Sequence, residues 1–224
     1  MSKILISGYY GFANAGDEAM LTAIIESLRQ VEKNVELTVL SGNPEDTAAK
    51  HQVCSVYRFN PLGIIRAMKD SELIISGGGS LLQDVTSKRS LLYYLSIIGL
   101  GKFFGKKVML FAQGIGPIRA KWARKLTSLV CNEADLITVR DSESAAELIE
   151  MGVKPEKITV TADSVLSLNP VTKECGQYLL QEAGVDLTKP VIGISVRPWS
   201  GDSQCFLGFG LKLLPTCSRA MGRS

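Results

Sequence analysis

The chain has 224 residues, of which 46% are hydrophobic and 21% are charged, a composition typical of globular proteins and not of disordered ones. The formal net charge is +3, and Lys212, Arg219 and Arg223 lie in the stretch after Cys205, which has no acidic residue. Without these three residues the charges balance, so we expect no broad basic surface and no nucleic acid partner.

The cysteines and the single histidine give no sign of a metal site or a disulfide framework. The five cysteines are widely spaced, without a Cys-x-x-Cys pair or a Cys/His cluster. We therefore predict no metal, reduced thiols and a cytoplasmic location. His51 lies in a polar connection without a local partner, which predicts a surface position.

Short apolar runs bounded by polar turns predict seven β-strands. In chain order they are residues 3–7, 35–40, 52–57, 73–76, 108–112, 136–139 and 158–160. Helical patterns separate most of them, with start signals at Asn43-Pro44 and Asn60-Pro61 and a glycine stop at Gly152. The alternation predicts an α/β fold in which βαβ units form a largely parallel, Rossmann-like sheet.

A glycine-rich segment, residues 7–20, follows the first strand and opens an amphipathic helix. The unpaired N–H groups of a helix N-terminus bind anions, and Asn14 and Asp17 are candidates for capping the helix or for binding a ligand. The glycine spacing, G-x-x-G-x-x-x-x-G, matches neither the dinucleotide fingerprint nor a P-loop, which argues against NAD and ATP. A strand-to-helix turn without a ligand remains the alternative.

The loops after the fourth and fifth predicted strands are rich in glycine and polar side chains. A run of three glycines that includes Gly78 and Gly79 either exposes N–H donors or relieves crowding beneath a helix. Gln83 and Asp84 suit a sugar hydroxyl or an ordered water, although capping of the next helix is an alternative. Gln113, after the fifth strand, carries the same ambiguity.

Arg140 directly follows the sixth strand and is the candidate cation. Its guanidinium can hold a phosphate or a carboxylate through two hydrogen bonds. The alternative is an ion pair with Asp141 or Glu143 that ties the strand to the next helix. Asp163, after the seventh strand, is expected to orient Arg140 or to line the cleft. Because the carboxyl ends of parallel strands share one edge, we expect these loops to converge.

The most apolar stretch, residues 91–100, is about half as long as the ~20 residues that a membrane-spanning helix needs. Its length and polar flanks predict a core helix. A helix that rests on a membrane is the alternative, and exposure of Tyr93, Tyr94, Ile97 and Ile98 on one face would favour it.

Six motifs occur in order over roughly residues 1–200: GYYGFANAGDEAML, ISGGGSLLQD, FAQGIGP, VRDSES, TADSVL and ISVRPW. Together they resemble the polysaccharide pyruvyl transferase family, in particular its cell-surface, CsaB-like branch. The resemblance implies a fold similar to the GT-B glycosyltransferases, with the active site between two α/β domains. Residues 1–170 are then the N-terminal domain, residues 171–189 a connecting helix and linker, and residues 190–224 the truncated start of a second α/β domain with an aberrant tail.

The resemblance also implies a reaction. The family transfers pyruvate from phosphoenolpyruvate, a co-substrate, to two hydroxyls of one sugar as a cyclic ketal, and no other cofactor is expected. In the CsaB-like branch the acceptor is an N-acetylmannosamine unit of a lipid-linked or polymeric cell-wall polysaccharide precursor, and the ketal serves in anchoring surface-layer (S-layer) proteins. This implies a cytoplasmic protein at the inner face of the cytoplasmic membrane, with peripheral membrane contact.

Roles for particular residues follow from the same resemblance. Arg140 is expected to contact phosphoenolpyruvate, while Asn14, Asp17, Gln83 and Gln113 are expected nearer the acceptor. The other predicted substrate-binding residues are Gly78, Gly79, Asp84, Asp163 and Arg197. The family's catalytic histidine belongs to a C-terminal domain that the tail after Cys205 does not resemble, so we expect little activity from this chain alone.

Two alternatives stay open at the level of sequence. A nucleotide-sugar glycosyltransferase shares the two-domain architecture, and architecture alone does not decide chemistry. A non-catalytic sugar-binding fragment is the second alternative. The sequence predicts no particular oligomeric state.

Overall fold

The computed structural model describes residues 2–85 and 87–193, and the chain divides into two units, residues 1–169 and residues 170–224. The strands of the first unit are β1 (Lys3–Tyr10), β2 (Glu36–Ser41), β3 (Cys54–Tyr57), β4 (Leu73–Gly77), β5 (Lys107–Gln113), β6 (Leu136–Val139) and β7 (Ile158–Val160). Its helices are α1 (Ala15–Val31), α2 (Pro44–His51), α3 (Pro61–Asp70), α4 (Lys88–Phe103), α5 (Lys121–Glu133) and α6 (Ser142–Glu150), and the 3₁₀ turns Pro155–Lys157 and Ser164–Ser167 flank β7. The second unit contains α7 (Lys173–Glu182).

The seven strands form one parallel sheet in the order β3-β2-β1-β4-β5-β6-β7. The chain moves from β1 toward one edge of the sheet and then, after β3, crosses to β4 and builds the other half. Such a reversal separates the loops after β1 and β4 and opens a crevice at the carboxyl ends of the strands. The α/β, Rossmann-like fold predicted from the sequence is confirmed, and the predicted bounds of β2 to β7 differ from the observed bounds by at most two residues.

Strand β1 is longer than predicted. It continues past Ser7 to Tyr10, with an irregularity in its pairing with β2 between these two residues. Tyr10 is buried, and its hydroxyl donates a hydrogen bond of 2.9 Å to the carbonyl of Gly77 on β4. The first part of the glycine-rich segment is therefore strand, because a long-range contact that the local composition does not show holds Tyr10 against the sheet.

The predicted helix signals are present as side-chain caps. Asn14, Asn43 and Asn60 each precede a helix and accept hydrogen bonds from backbone N–H groups of its first turn. Gly152 follows α6 with φ of +94°, a conformation that favours glycine. Such caps contribute about 1 kcal/mol each and define where the helices begin.

Two clusters of buried apolar residues lie on opposite faces of the sheet. On β1, Leu5 packs into the larger cluster, whereas Ile6 packs into the smaller one. Helices α3, α4, α5 and α6 cover the larger cluster, and α1 covers the smaller one. This arrangement leaves the carboxyl edge of the sheet to the loops.

Helix α4 belongs to the core, as the sequence predicts. Leu91, Tyr94, Ile97 and Ile98 are buried in the larger cluster. The alternative of a helix resting on a membrane through Tyr94, Ile97 and Ile98 is therefore wrong. Within residues 2–85 and 87–193, no helix is both long and apolar enough to cross a bilayer.

The second unit is described only in part. Thr172 caps α7, whose residues are not buried. Residues 191–193, at the predicted start of a second α/β domain, have no regular structure. The rest of that predicted domain, with Arg197 and the tail, lies outside the described ranges.

Candidate functional site

Loops from five strands meet at the carboxyl edge of the sheet. We call this set the rim: residues 11–17 after β1, 78–84 after β4, 114–117 after β5, 140–141 after β6 and 161–163 after β7. The N–H of Gly114 donates to the carbonyl of Gly79 at 2.9 Å, and Arg140 Nη2 donates to Ser80 Oγ at 3.2 Å. The predicted convergence of these loops is thus observed.

The first rim loop is held by Glu18. Its Oε1 accepts a hydrogen bond of 2.8 Å from the N–H of Gly11, and its Oε2 lies 3.5 Å from Nε2 of His51. The side chain of His51 is only 10% exposed, so the predicted surface position without a partner is wrong. The two residues are 33 positions apart in sequence, which hid the contact from a local analysis.

Asn14 and Asp17 lie together at the start of α1. Asn14 Oδ1 accepts from the N–H of Gly16 at 3.1 Å, so this oxygen serves the helix cap. A carboxylate oxygen of Asp17 lies beside Gly79, 3.3 Å from where a Cβ on that residue would be. A carboxylate repels a phosphate and accepts hydrogen bonds from hydroxyls, so this corner of the rim suits a sugar better than an anion.

The glycine run after β4 serves mainly to relieve crowding. A Cβ on Gly77 would lie 2.7 Å from Ile24 Cδ1, and a Cβ on Gly78 would lie 3.1 Å from Met20 Cβ, both on α1. The N–H of Gly78 donates to the carbonyl of Phe111 at 3.0 Å. Among the described residues, the N–H groups of Gly79 and Ser80 donate to no acceptor. These two donors are left to a ligand.

Asp84 holds the segment that precedes α5 and does not cap α4. Its carboxylate accepts hydrogen bonds from the N–H groups of Arg119 at 3.0 Å and Ala120 at 2.9 Å, at the start of α5. These bonds lower the pKa of Asp84 below its ordinary value. Ser87, not Asp84, caps α4. Gln83, next to it, is partly buried.

Gln113 is inside the molecule. Its side chain is fully buried, and Nε2 donates to the carbonyl of Ser76 at 3.0 Å. A ligand at the rim does not reach this amide without a rearrangement. Gln113 therefore links the ends of β4 and β5, while its prediction as an acceptor contact receives no support from the geometry.

Arg140 projects over the backbone of Gly114. Its Nη1 lies 3.3 Å from Asp163 and its Nε lies 3.4 Å from Asp141, so both the predicted Asp163 contact and the alternative ion pair with Asp141 are formed. A third of its side chain stays exposed. Three strand ends thus hold the guanidinium at the surface of the rim, where an anion can still reach it.

Arg58, which is not among the site residues predicted from the sequence, is a cation surrounded by aromatic rings. The residue is 4% exposed, and its Cζ lies between 4.4 and 5.9 Å from the ring centres of Tyr9, Phe12, Phe59, Tyr93 and Tyr94, which we call the aromatic cage. The hydrogen bonds that its guanidinium donates are long, 3.4 Å to the carbonyl of Gly8 and 3.3 Å to the hydroxyl of Tyr94. Cation–π attraction takes the place of a carboxylate partner.

The outer rings of the aromatic cage face solvent. Tyr9 and Phe12 stack at 4.3 Å between ring centres and are each 41% exposed, and Phe59 is 60% exposed. Beneath them, Arg58 Nε and Ser76 Oγ are buried and have no hydrogen-bond partner within residues 2–85 and 87–193. Buried polar atoms are rarely unpaired, so this cluster needs a water or a ligand group. The flanking aromatics of Tyr57-Arg58-Phe59 at a strand end are the sequence signal for this site.

A separate groove of about 450 Å³ lies between α3 and the edge strand β3. Cys54, Tyr57, Arg66 and Asp70 are among its lining residues, and the rim residues are not. We place the candidate site at the rim and not in this groove, because several loops converge at the rim. In the part of the chain that the structure describes, no group of three or more His, Cys, Asp or Glu side chains is arranged to hold a metal ion.

Comparison with known proteins identifies a family and a fold. A family model for polysaccharide pyruvyl transferases matches residues 14–196. No curated protein sequence matches the chain significantly. The predicted Rossmann-like, GT-B-like α/β fold is confirmed by solved structures that resemble the chain.

Three of these structures illustrate the likeness. They are UDP-GlcNAc 2-epimerase from Neisseria meningitidis bound to UDP-GlcNAc (13% identity, TM-score 0.60, 98% of this chain and 63% of that one), a glycosyltransferase from Rickettsia africae (13%, 0.56, 95% and 57%), and Anabaena HepE in complex with UDP and glucose (12%, 0.53, 82% and 50%). At these identities the likeness shows the fold alone. The chain spans about half to two thirds of the length of these proteins.

Proposed function

Because the chain belongs to the polysaccharide pyruvyl transferase family, we propose that it serves in transferring pyruvate from phosphoenolpyruvate to a sugar of a cell-wall polysaccharide precursor. The family match over residues 14–196 carries this proposal. The rim supports it, since a partly exposed arginine and an exposed aromatic surface lie at the same edge of the sheet.

The proposed reaction forms a cyclic ketal. Two hydroxyl oxygens of one sugar bond to C2 of phosphoenolpyruvate, the C2–O bond to phosphate breaks, and the methylene carbon C3 gains a proton and becomes a methyl group. The two hydroxyl protons balance the proton added to C3 and the proton carried by the departing phosphate. Such a reaction requires a cation for the phosphate and carboxylate, and polar groups that orient the hydroxyls.

Arg140 is the proposed donor contact in this chain. Its guanidinium is held by Asp163 and Asp141, so it is fixed in position before a ligand arrives. The hydroxyl of Ser80 lies beside it and adds a polar group to the anion site. A planar guanidinium suits either a phosphate or a carboxylate in a two-point contact.

The proposed acceptor contacts are Asp17, Asn14 and Gln83 together with the exposed rings of the aromatic cage. Aromatic rings offer flat apolar surface to the faces of sugar rings, and Asp17 can accept from their hydroxyls. In keeping with the CsaB-like resemblance, we propose an N-acetylmannosamine unit on a lipid-linked or polymeric precursor as acceptor, and S-layer anchoring as the role of the ketal. The proposed location is the inner face of the cytoplasmic membrane.

Saturation-transfer NMR on this chain tests the proposal, with phosphoenolpyruvate and an N-acetylmannosamine-containing oligosaccharide as ligands. We expect weak binding of both, on the order of millimolar. Arg140→Ala is expected to abolish the phosphoenolpyruvate signal and leave the sugar signal, and Phe12→Ala is expected to do the reverse. Phe103→Ala, at an exposed ring on the far end of α4, is the matched control that alters neither.

A different pattern would exclude the proposal. Binding of UDP-sugars in the absence of any phosphoenolpyruvate signal would favour the nucleotide-sugar glycosyltransferase. A separate assay of phosphate release and of product mass measures turnover.

A further inference from the structure

The basic residues of this chain are distributed unevenly, although their sum is nearly balanced. Residues 85–132 contain no Asp or Glu. The same stretch contains nine basic residues, Lys88, Arg89, Lys102, Lys106, Lys107, Arg119, Lys121, Arg124 and Lys125. The expectation of no broad basic surface, drawn from the net charge, does not hold for this part of the molecule, because a sum over the chain hides where the charges lie.

Six of the nine form no ion pair within the described part of the chain. Lys102 and Lys107 pair with Asp135, and Arg124 pairs with Glu147 and Glu150. Lys106 donates to a backbone carbonyl at the same end of α4 as Lys102. The other five that form no ion pair among the described residues are Lys88, Arg89, Arg119, Lys121 and Lys125, of which Lys88 and Arg119 lie near enough to Asp84 to help lower its pKa. They lie at the starts of α4 and α5, neighbouring helices in one layer.

Cations at these positions work against helix stability. The N-terminus of a helix carries a partial positive charge, so acidic residues stabilise the first turn and basic residues destabilise it by about 0.3–1 kcal/mol each. Helices α1, α2 and α6 have acidic first turns, whereas α4 and α5 have none. The Asp84 carboxylate lies against the N–H groups that precede α5 and offsets part of this cost. The several basic residues at these two helix starts still indicate that the charges serve something outside the helix.

Apolar side chains are exposed among these cations. Trp122 is 47% exposed and Leu129 is 59% exposed on α5, and Leu92 is 42% exposed on α4. We call residues 88–92 and 119–129 the basic face. A basic helix surface with an exposed tryptophan and leucines is the composition of segments that lie in the interface of an anionic bilayer.

We propose that the basic face docks this protein on an anionic lipid bilayer. The cations attract acidic headgroups, and Trp122 enters the headgroup region. A lipid surface fits better than nucleic acid, because nucleic acid binding gives no reason for the exposed leucines. Both helices begin at the carboxyl edge of the sheet, so a bilayer docked there lies next to the rim. A lipid-linked sugar would then reach the rim from the membrane, a consequence that rests on the proposed function, while the docking itself does not.

Vesicle sedimentation of the full chain tests the docking. We expect binding to vesicles of phosphatidylcholine with phosphatidylglycerol and not to phosphatidylcholine alone. Lys121→Ala with Lys125→Ala is expected to lower the partition coefficient roughly 30-fold, because two lysines near an anionic surface typically contribute that much to binding. The control removes two exposed lysines elsewhere, Lys33→Ala with Lys154→Ala, and preserves binding.

Fluorescence separates insertion from simple charge attraction. In a Trp199→Phe background, where Trp122 is the single tryptophan, we expect a blue shift and quenching by brominated lipids when anionic vesicles are added. Equal binding of the two double-lysine variants, absence of quenching, or tighter binding to DNA than to vesicles would overturn the proposal. Neither phosphoenolpyruvate nor a sugar is present, so the outcome does not depend on the proposed function.

Discussion

At the scale of single residues, Gly114 determines where the Arg140 guanidinium can lie. A Cβ on Gly114 would be 2.7 Å from both Cζ and Nε of Arg140, closer than real atoms approach. The arginine thus occupies the space that a larger residue would need. Its contacts with Ser80 and Asp163 depend on that space.

Gly114→Ala is expected to displace the guanidinium and to lower stability by up to about 1 kcal/mol, the scale of the partly exposed ion pairs that the displacement breaks. The same substitution in an Arg140→Ala background is expected to cost much less, since the clashing group is gone. Urea denaturation of the two single variants and the double variant measures this coupling. Equal costs in the two backgrounds would show that Gly114 is required for another reason.

A second single-residue effect is the pH dependence that Asp135 contributes. Burial by itself raises the pKa of Asp135, but hydrogen bonds from Lys102, the N–H of Val108 and Lys107 outweigh it and hold the pKa well below the ordinary value. These contacts join the end of α4, the start of β5 and the start of β6. A group with a lowered folded pKa stabilises the fold above its unfolded pKa, and the contribution is lost as the pH falls toward the folded pKa.

Asp135→Asn is therefore expected to cost roughly 2 kcal/mol at pH 7 and progressively less below about pH 4. Urea denaturation at pH 7 and pH 3 measures the two costs. Glu156→Gln, at an exposed carboxylate, is the matched control, for which the cost is expected to be small at both values. A cost of Asp135→Asn that stays constant with pH would contradict the assigned role of the charge.

At the scale of elements, α4 shows how closely a helix approaches the sheet. A Cβ on Gly101 would lie 2.8 Å from Ile74 Cδ1 and 3.0 Å from Val108 Cγ2, both in the buried core. Gly99, in the same helix, has nothing within 4 Å of an added Cβ. The two glycines differ in packing and share the same helical backbone.

Gly101→Ala is expected to destabilise the protein by roughly 1–2 kcal/mol, because overpacking against the sheet exceeds the gain in helix propensity. Gly99→Ala is expected to stabilise it by up to about 1 kcal/mol, since only the propensity changes. Thermal unfolding of the two variants gives the comparison. Stabilisation by both substitutions would mean that Ile74 and Val108 move aside at little cost.

At the scale of the whole molecule, the first unit contains the entire described core. The members of both apolar clusters come from residues 4–158, and the described part of the second unit adds none. Helix α7 has no buried residue. The first unit therefore has the sheet and the core that independent folding requires, and it also contains the rim.

A polypeptide that ends at Asn169 is expected to unfold cooperatively, with a free energy of unfolding within about 1 kcal/mol of the full chain. One that ends at Lys154 lacks β7, whose residue Ile158 packs on the core, and is expected to be clearly less stable. Urea denaturation followed by circular dichroism distinguishes them. Loss of cooperativity in the longer polypeptide would show that residues after Asn169 contribute to the core.

Most of the fold is predictable from the sequence by itself. Alternating apolar runs and asparagine caps at positions 14, 43 and 60 are local signals, and they determine where strands and helices begin. Four glycine-rich or charged strand ends likewise indicate a common edge, since parallel strands point the same way. The family follows from short motifs kept in order along the chain.

Only the tertiary structure decided which side chains meet. Arg58 lies among rings that come from β1, the rim and α4, and His51 contacts Glu18 across 33 positions. Asp84 binds the segment before α5 and does not cap α4, and the hydroxyl of Tyr10 extends β1 by binding the end of β4. Each of these depends on a long-range contact, whose partners no local pattern specifies, whereas strands, caps and turns depend on the conformational preferences of neighbouring residues.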